Sequence, residues 1–129
     1  MATEGVRLVT PASALYVHLA RLMAAALAAD AGCSYDEVED LRIAVGEAAA
    51  LILRHVRGDA ELDFRFQVGD VVEVEVSAVG GTRRAGALDP DDPELKLSCQ
   101  IIEAMVDEFL YEPVGPRVVL SSSLPRVTA

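Results

Sequence analysis

Two runs of alternating residues, set back to back, constrain this chain most. Glu61 to Val68 alternates through Leu62, Phe64, Phe66 and Val68, and Val71 to Ala78 alternates through Val72, Val74 and Val76. Gly69-Asp70 between them is a tight-turn signal, so the pair predicts a β-hairpin. The intervening Glu61, Asp63, Arg65, Glu73 and Glu75 predict that one face of the sheet is wet. The other face must be covered, and a helix apolar on more than one side suits that place. The segment opening at Ser34 has this pattern through Val38, Leu41, Ile43, Val45, Ala48, Ile52 and Val56. Ser34 and Glu37 have capping-box spacing, and Gly58-Asp59 predicts the end of the helix.

The remaining elements follow from the same rules. Gly5 to Thr10 predicts a strand. Thr10-Pro11 predicts a helix start, with Thr10 as cap and Pro11 at the first helical position. Leu15, Leu19, Leu22, Met23, Ala26 and Leu27 then fall at helical spacing and predict a core-facing helix that stops near Ala31-Gly32. Gly80 to Pro93 predicts a long loop. Glu94 to Leu110 predicts a third helix with Leu95, Leu97, Ile101, Ile102, Met105, Val106 and Phe109 as its apolar set. Arg117 to Leu124, after Gly115-Pro116, predicts a last strand. The order β-α-α-β-β-loop-α-β predicts an α/β (α+β) two-layer sandwich, with helices on one face of a mostly antiparallel sheet. A single domain over residues 1–129 is expected at this length.

Charge narrows the function classes. A formal net charge of −10 repels phosphate backbones, which argues against direct nucleic-acid binding and suits a basic protein partner. The longest apolar stretch, Ala12 to Ala29, carries His18 and Arg21, so no membrane span is expected. The opening MATEGVRLV has no basic leader pattern, and a cytoplasmic location is expected. Cys33 and Cys99 form no spacing motif, so neither a disulfide framework nor a metal cluster is expected.

Asp40-Leu41-Arg42-Ile43-Ala44-Val45-Gly46-Glu47-Ala48 resembles the N-box helix of the RsbW-like anti-sigma factors and serine-protein kinases. These belong to the GHKL superfamily, with its Bergerat-type ATPase fold. The resemblance extends over nearly the whole chain, through the element order, the lid-like loop, Ala104 to Glu108 at the end of the third helix, and the final strand after Gly115. It implies that Glu47 is the family's general base for an attacking serine hydroxyl. It also implies that Leu51 stands where the family has a magnesium-holding Asn, and a leucine offers no oxygen to a hard cation. His55 matches a residue often found just beyond, and is read as a packed helix histidine. In the Asp-x-Gly-x-Gly motif that reads adenine, Ala78 replaces the Asp, Gly80 matches the first Gly and Thr82 replaces the second. Losing such a charged hydrogen bond removes about 1.5–3 kcal/mol. Lys96 and Ser98 stand in the Gly-x-Gly that cradles phosphates.

The resemblance, with these departures, implies a degenerate member. It is expected to be no enzyme but a pseudokinase, to need neither ATP nor magnesium, and to act by binding. It would sequester an alternative sigma factor, be countered by a STAS-type anti-anti-sigma factor, and form a homodimer. Arg21, 26 residues before Glu47, matches the position of a partner-contacting arginine, flanked by Val17, His18, Ala24 and Ala25. Two other readings stay open. The degenerate pocket could have been repurposed for another nucleotide or a sugar nucleotide, with Arg54, Arg83, Arg84 and Lys96 as anion contacts. Alternatively, the chain is a working serine-protein kinase with an unusual metal site.

Overall fold

The computed structural model describes residues 4–83 and 89–125. Its strands are β1 (Glu4–Pro11), β2 (Val56–Arg57), β3 (Glu61–Val68), β4 (Val71–Val79), β5 (Thr82–Arg83), β6 (Glu108–Glu112) and β7 (Arg117–Ser123). Its helices are α1 (Ala14–Asp30), α2 (Tyr35–Leu53) and α3 (Pro93–Met105). Five strands form an antiparallel sheet in the order β1-β3-β4-β7-β6, and β2 pairs with β5 in a separate short ribbon. The hairpin stands as read: Glu61 to Val68 pairs residue by residue with Val72 to Val79.

The even-numbered residues of β3 and β4 point to the helices. Leu62, Phe64, Phe66, Val72, Val74 and Val76 are buried, joined by Val118 and Leu120 of β7. Phe64 and Phe66 stack with ring centroids 6.4 Å apart, and removing either ring would cost about 3–5 kcal/mol. α2 lies over the middle of this layer and touches α1, α3, β4 and β7. That position explains its apolar residues on several faces: Leu41, Ala44, Val45, Ala48, Ala49, Leu51 and Ile52 are all buried. Its start carries the full capping box. Glu37 N–H donates to Ser34 Oγ at 3.2 Å, and Ser34 N–H donates to Glu37 Oε1 at 2.8 Å. Those bonds hold the Glu37 carboxyl below the usual carboxylate range.

The opposite face of the sheet carries charges, as its alternation requires. Asp63 is nearly covered there, because Arg7 donates to both its oxygens at 3.0 and 2.9 Å and Arg65 approaches at 3.5 Å. The Arg7 hydrogen bonds hold the Asp63 carboxyl below its ordinary range against the opposing effect of burial.

Three expectations about the elements are corrected. β1 runs through Thr10 to Pro11, which pairs with Glu61, and the cap of α1 is Ser13, whose Oγ accepts from Leu15 N–H. α1 buries alanines, not leucines: Ala20, Ala24 and Ala28 face the core at one-turn spacing, while Leu15, Leu19 and Leu22 are exposed. Small side chains let α1 approach α2 closely, and the broad leucines fall on the other side. The third helix stops at Met105, and Glu108 to Glu112 is an edge strand, because Phe109 and Tyr111 alternate inward beside β7. No helix among the described residues is long and apolar enough to cross a membrane.

Candidate functional site

Arg21 and Glu47 open into one cleft between α1 and α2. Its volume is about 390 Å³, and Ala14, Val17, His18, Ile43, Gly46, Ala50 and Leu53 line the rest. Gly46 faces the Arg21 side chain, where a Cβ would sit 3.4 Å from Arg21 Cδ. Arg21 Nε is buried and has no hydrogen-bond partner among the described residues. Of the α1 residues expected to meet a partner, Val17, His18 and Arg21 reach this cleft. Ala24 does not: it is fully buried, so it has no surface to offer a partner, and Ala25 is half-buried beside it.

Glu47 also faces α3. Ser98 Oγ donates to Glu47 Oε2 at 2.9 Å, so the serine in the phosphate-cradle position holds the carboxylate in the family's base position. Further along this seam, Arg54 caps the end of α2 and pairs with Asp92 and, at 3.4 Å, with Glu94. Asp92 is the N-cap of α3, accepting from Glu94 N–H at 3.0 Å. Arg54 is thus engaged by carboxylates where an anion contact was expected. Lys96 Nζ lies 3.3 Å from Asp91 Oδ1. His55 lies just past the end of α2 and bonds to the Tyr111 hydroxyl. Sequence spacing does not pair those two, since 56 residues separate them.

The other family positions are also placed. Leu51 is fully buried and belongs to the core. Ala78 is half-buried on β4 opposite Leu62, and Gly80 follows the strand at φ +71. Gly81 is the glycine whose backbone is most tightly constrained: at φ +64, a Cβ would meet Arg57 O at 2.6 Å. Arg83 enters β5, and Arg84 lies outside the described residues. No group of three or more potential metal ligands forms among the described residues. The positions that the resemblance marks at 51, 78, 96 and 98 carry Leu, Ala, Lys and Ser.

Comparison with known proteins places these features. Residues 10–122 match the family model for the histidine kinase-like ATPase domain. The serine-protein kinase RsbW of Listeria innocua is 33% identical, over 92% of this chain and 86% of that protein. The protein of the same name from Bacillus licheniformis is 31% identical over 88% and 71%, and that from Staphylococcus aureus 27% over 90% and 84%. These findings overturn two expectations, that the chain is no enzyme and that it uses neither ATP nor magnesium: both the domain and the relatives point to an ATP-dependent enzyme. The physical reason is that four side chains are a narrow basis for exclusion. Magnesium keeps several waters and takes ligands from phosphate oxygens, so a missing side-chain oxygen does not by itself abolish binding. With the fold, the N-box helix and the relatives in agreement, the chain belongs to the RsbW-like branch of the histidine kinase-like ATPase family.

Proposed function

We propose that the chain holds an alternative sigma factor away from RNA polymerase and is displaced by a STAS-type anti-anti-sigma factor that competes for an overlapping surface. It works in the cytoplasm, as one domain over residues 1–129, and pairs as a homodimer. The activity in its relatives' names comes with this reading: the chain is a serine-protein kinase whose acceptor is a serine of the antagonist.

One observation carries the reading. The α1–α2 cleft joins a cation with a buried, unpartnered Nε, Arg21, to the carboxylate of Glu47 within a mostly apolar wall. A partner carboxylate entering the cleft would pair with the Arg21 guanidinium, and arginines in such settings are frequent interface anchors. A hydroxyl delivered to the same opening would meet Glu47. The acidic character of the chain suits a basic, DNA-binding partner.

The test has two arms. Sigma factors and STAS proteins from the source cell are pulled down with the chain and with Arg21→Glu, which should weaken the complex by about 2 kcal/mol, or roughly thirtyfold. The candidate antagonist is then incubated with the chain, magnesium and ATP, and its intact mass is read for phosphoserine. Unchanged binding by Arg21→Glu would remove the cleft from the reading. An unmodified antagonist would remove the kinase.

A further inference from the structure

β6 is left partly open. It forms one edge of the sheet and is bonded to β7 alone among the described strands. Its inward side chains Phe109 and Tyr111 are only half-buried, although Val118 and Leu120 beside them on β7 are fully buried. α3 packs on the layer through Leu95 and Ile102 and touches β6 along one side. Between the strand and the helix runs a cleft of about 420 Å³, walled by Pro90, Leu95, Cys99, Tyr111 and Pro113. Lys96, Cys99, Gln100 and Glu103 line it from one face of α3, while Ser98 turns the other way to Glu47. The cleft is therefore separate from the α1–α2 site.

We propose that this cleft docks an extended, basic segment of a partner protein, which adds to β6 as a further strand. An edge strand presents unpaired backbone donors and acceptors, a template for another chain. A strand edge bordered by a helix flank is the arrangement used by domains that bind peptides by strand addition, where pockets for alternate side chains supply selectivity. Here the apolar floor takes those side chains. Charge selects the partner. Glu103, on the wall of the cleft, has no ion pair among the described residues, Lys96 beside it is offset by Asp91, and the chain as a whole carries a net charge of −10. Val114, next in the chain to Pro113, is 91% exposed and extends the apolar surface at the cleft's end.

The experiment uses the full chain and a synthetic peptide of alternating Lys and Val. Two controls accompany it: an alternating Glu and Val peptide, and a Lys-Val peptide of equal charge with proline at its centre. The readout is the rate at which N-ethylmaleimide labels Cys99, with Cys33 of the same molecule as reference. At saturating Lys-Val peptide, Cys99 labelling should slow about tenfold relative to Cys33, as for a site nine-tenths occupied. Neither control should protect it. Glu103→Lys, at an exposed position that does not threaten folding, should transfer protection to the Glu-Val peptide. An unchanged Cys99 rate overturns the proposal. So does equal protection by the proline peptide, because proline cannot join a strand ladder. Protection that rises with the chain's own concentration, without peptide, would assign the edge to self-pairing and overturn it too.

Discussion

Ser98 of α3 donates its hydroxyl hydrogen to Glu47 of α2 at 2.9 Å, placing a seryl hydroxyl of the chain itself on the carboxylate in the family's base position. An acceptor serine would have to make that same contact. Ser98 and an incoming hydroxyl therefore compete for Glu47. Ser98→Ala should free the carboxylate, at a stability cost of about 1.5–3 kcal/mol for a part-buried bond to a charged group. Under the proposed function it should raise the initial rate of antagonist phosphorylation, while Glu47→Gln should lower that rate by about 10²–10⁴-fold. The rates are read by intact mass and the stability by urea unfolding. If Ser98→Ala lowered the rate, the hydroxyl would be helping the carboxylate and not competing for it.

The Arg7–Asp63 pair makes stability depend on acid. Hydrogen bonds from Arg7 lower the Asp63 pKa in the folded chain. In the unfolded chain it returns to about 3.9. A depressed carboxylate contributes stability that is fully present above that ordinary value and is lost as pH falls through the folded one. Asp63→Asn removes this contribution. The gap in unfolding free energy between the native chain and the variant should be widest near neutral pH and close below about pH 4. Urea titrations at stepped pH measure it, and a gap that stayed constant down to pH 2 would contradict the pairing.

Leu51 is fully buried in α2. Restoring the family's asparagine there places an amide among apolar neighbours. Leu51→Asn should destabilise the chain by about 3 kcal/mol or more, combining lost apolar burial with an unsatisfied polar group. A loss under about 1 kcal/mol would mean that the position opens to solvent or to a ligand after all.

The sheet and its central helix were legible because local pattern and tertiary demand agree there. The β3–β4 alternation fixes both register and faces, and the Ser34–Glu37 box marks the start of α2. The elements misread are those where tertiary packing overrides the pattern. Thr10-Pro11 looks like a helix start, but edge pairing with β3 draws both residues into β1. The apolar run through Phe109 continues a helical period on paper, yet the chain turns to pair with β7. At the site, the resemblance singles out Glu47 and Arg21, and both line one cleft. The partners Ser98, Asp92 and Tyr111 come from across the fold, so their bonds to Glu47, Arg54 and His55 left no signal in sequence spacing.

The two faces of α1 make the most direct test of partner binding. Leu15, Leu19, Leu22 and Ala26 follow each other at intervals of four, three and four, and all are exposed. That interval is the seam of a helix that packs against another helix, and it lies outside the core built by Ala20, Ala24 and Ala28. Folding and association should therefore separate cleanly on this helix. Replacing Leu19 and Leu22 with serine should leave unfolding free energy within about 0.5 kcal/mol per site, as for surface changes. Under the proposed function, the same variant should abolish the homodimer in sedimentation equilibrium. Ala24→Leu, on the buried face, should instead cost about 1–3 kcal/mol by overpacking against α2. A double serine variant that still dimerised would show that the exposed leucines are not the seam.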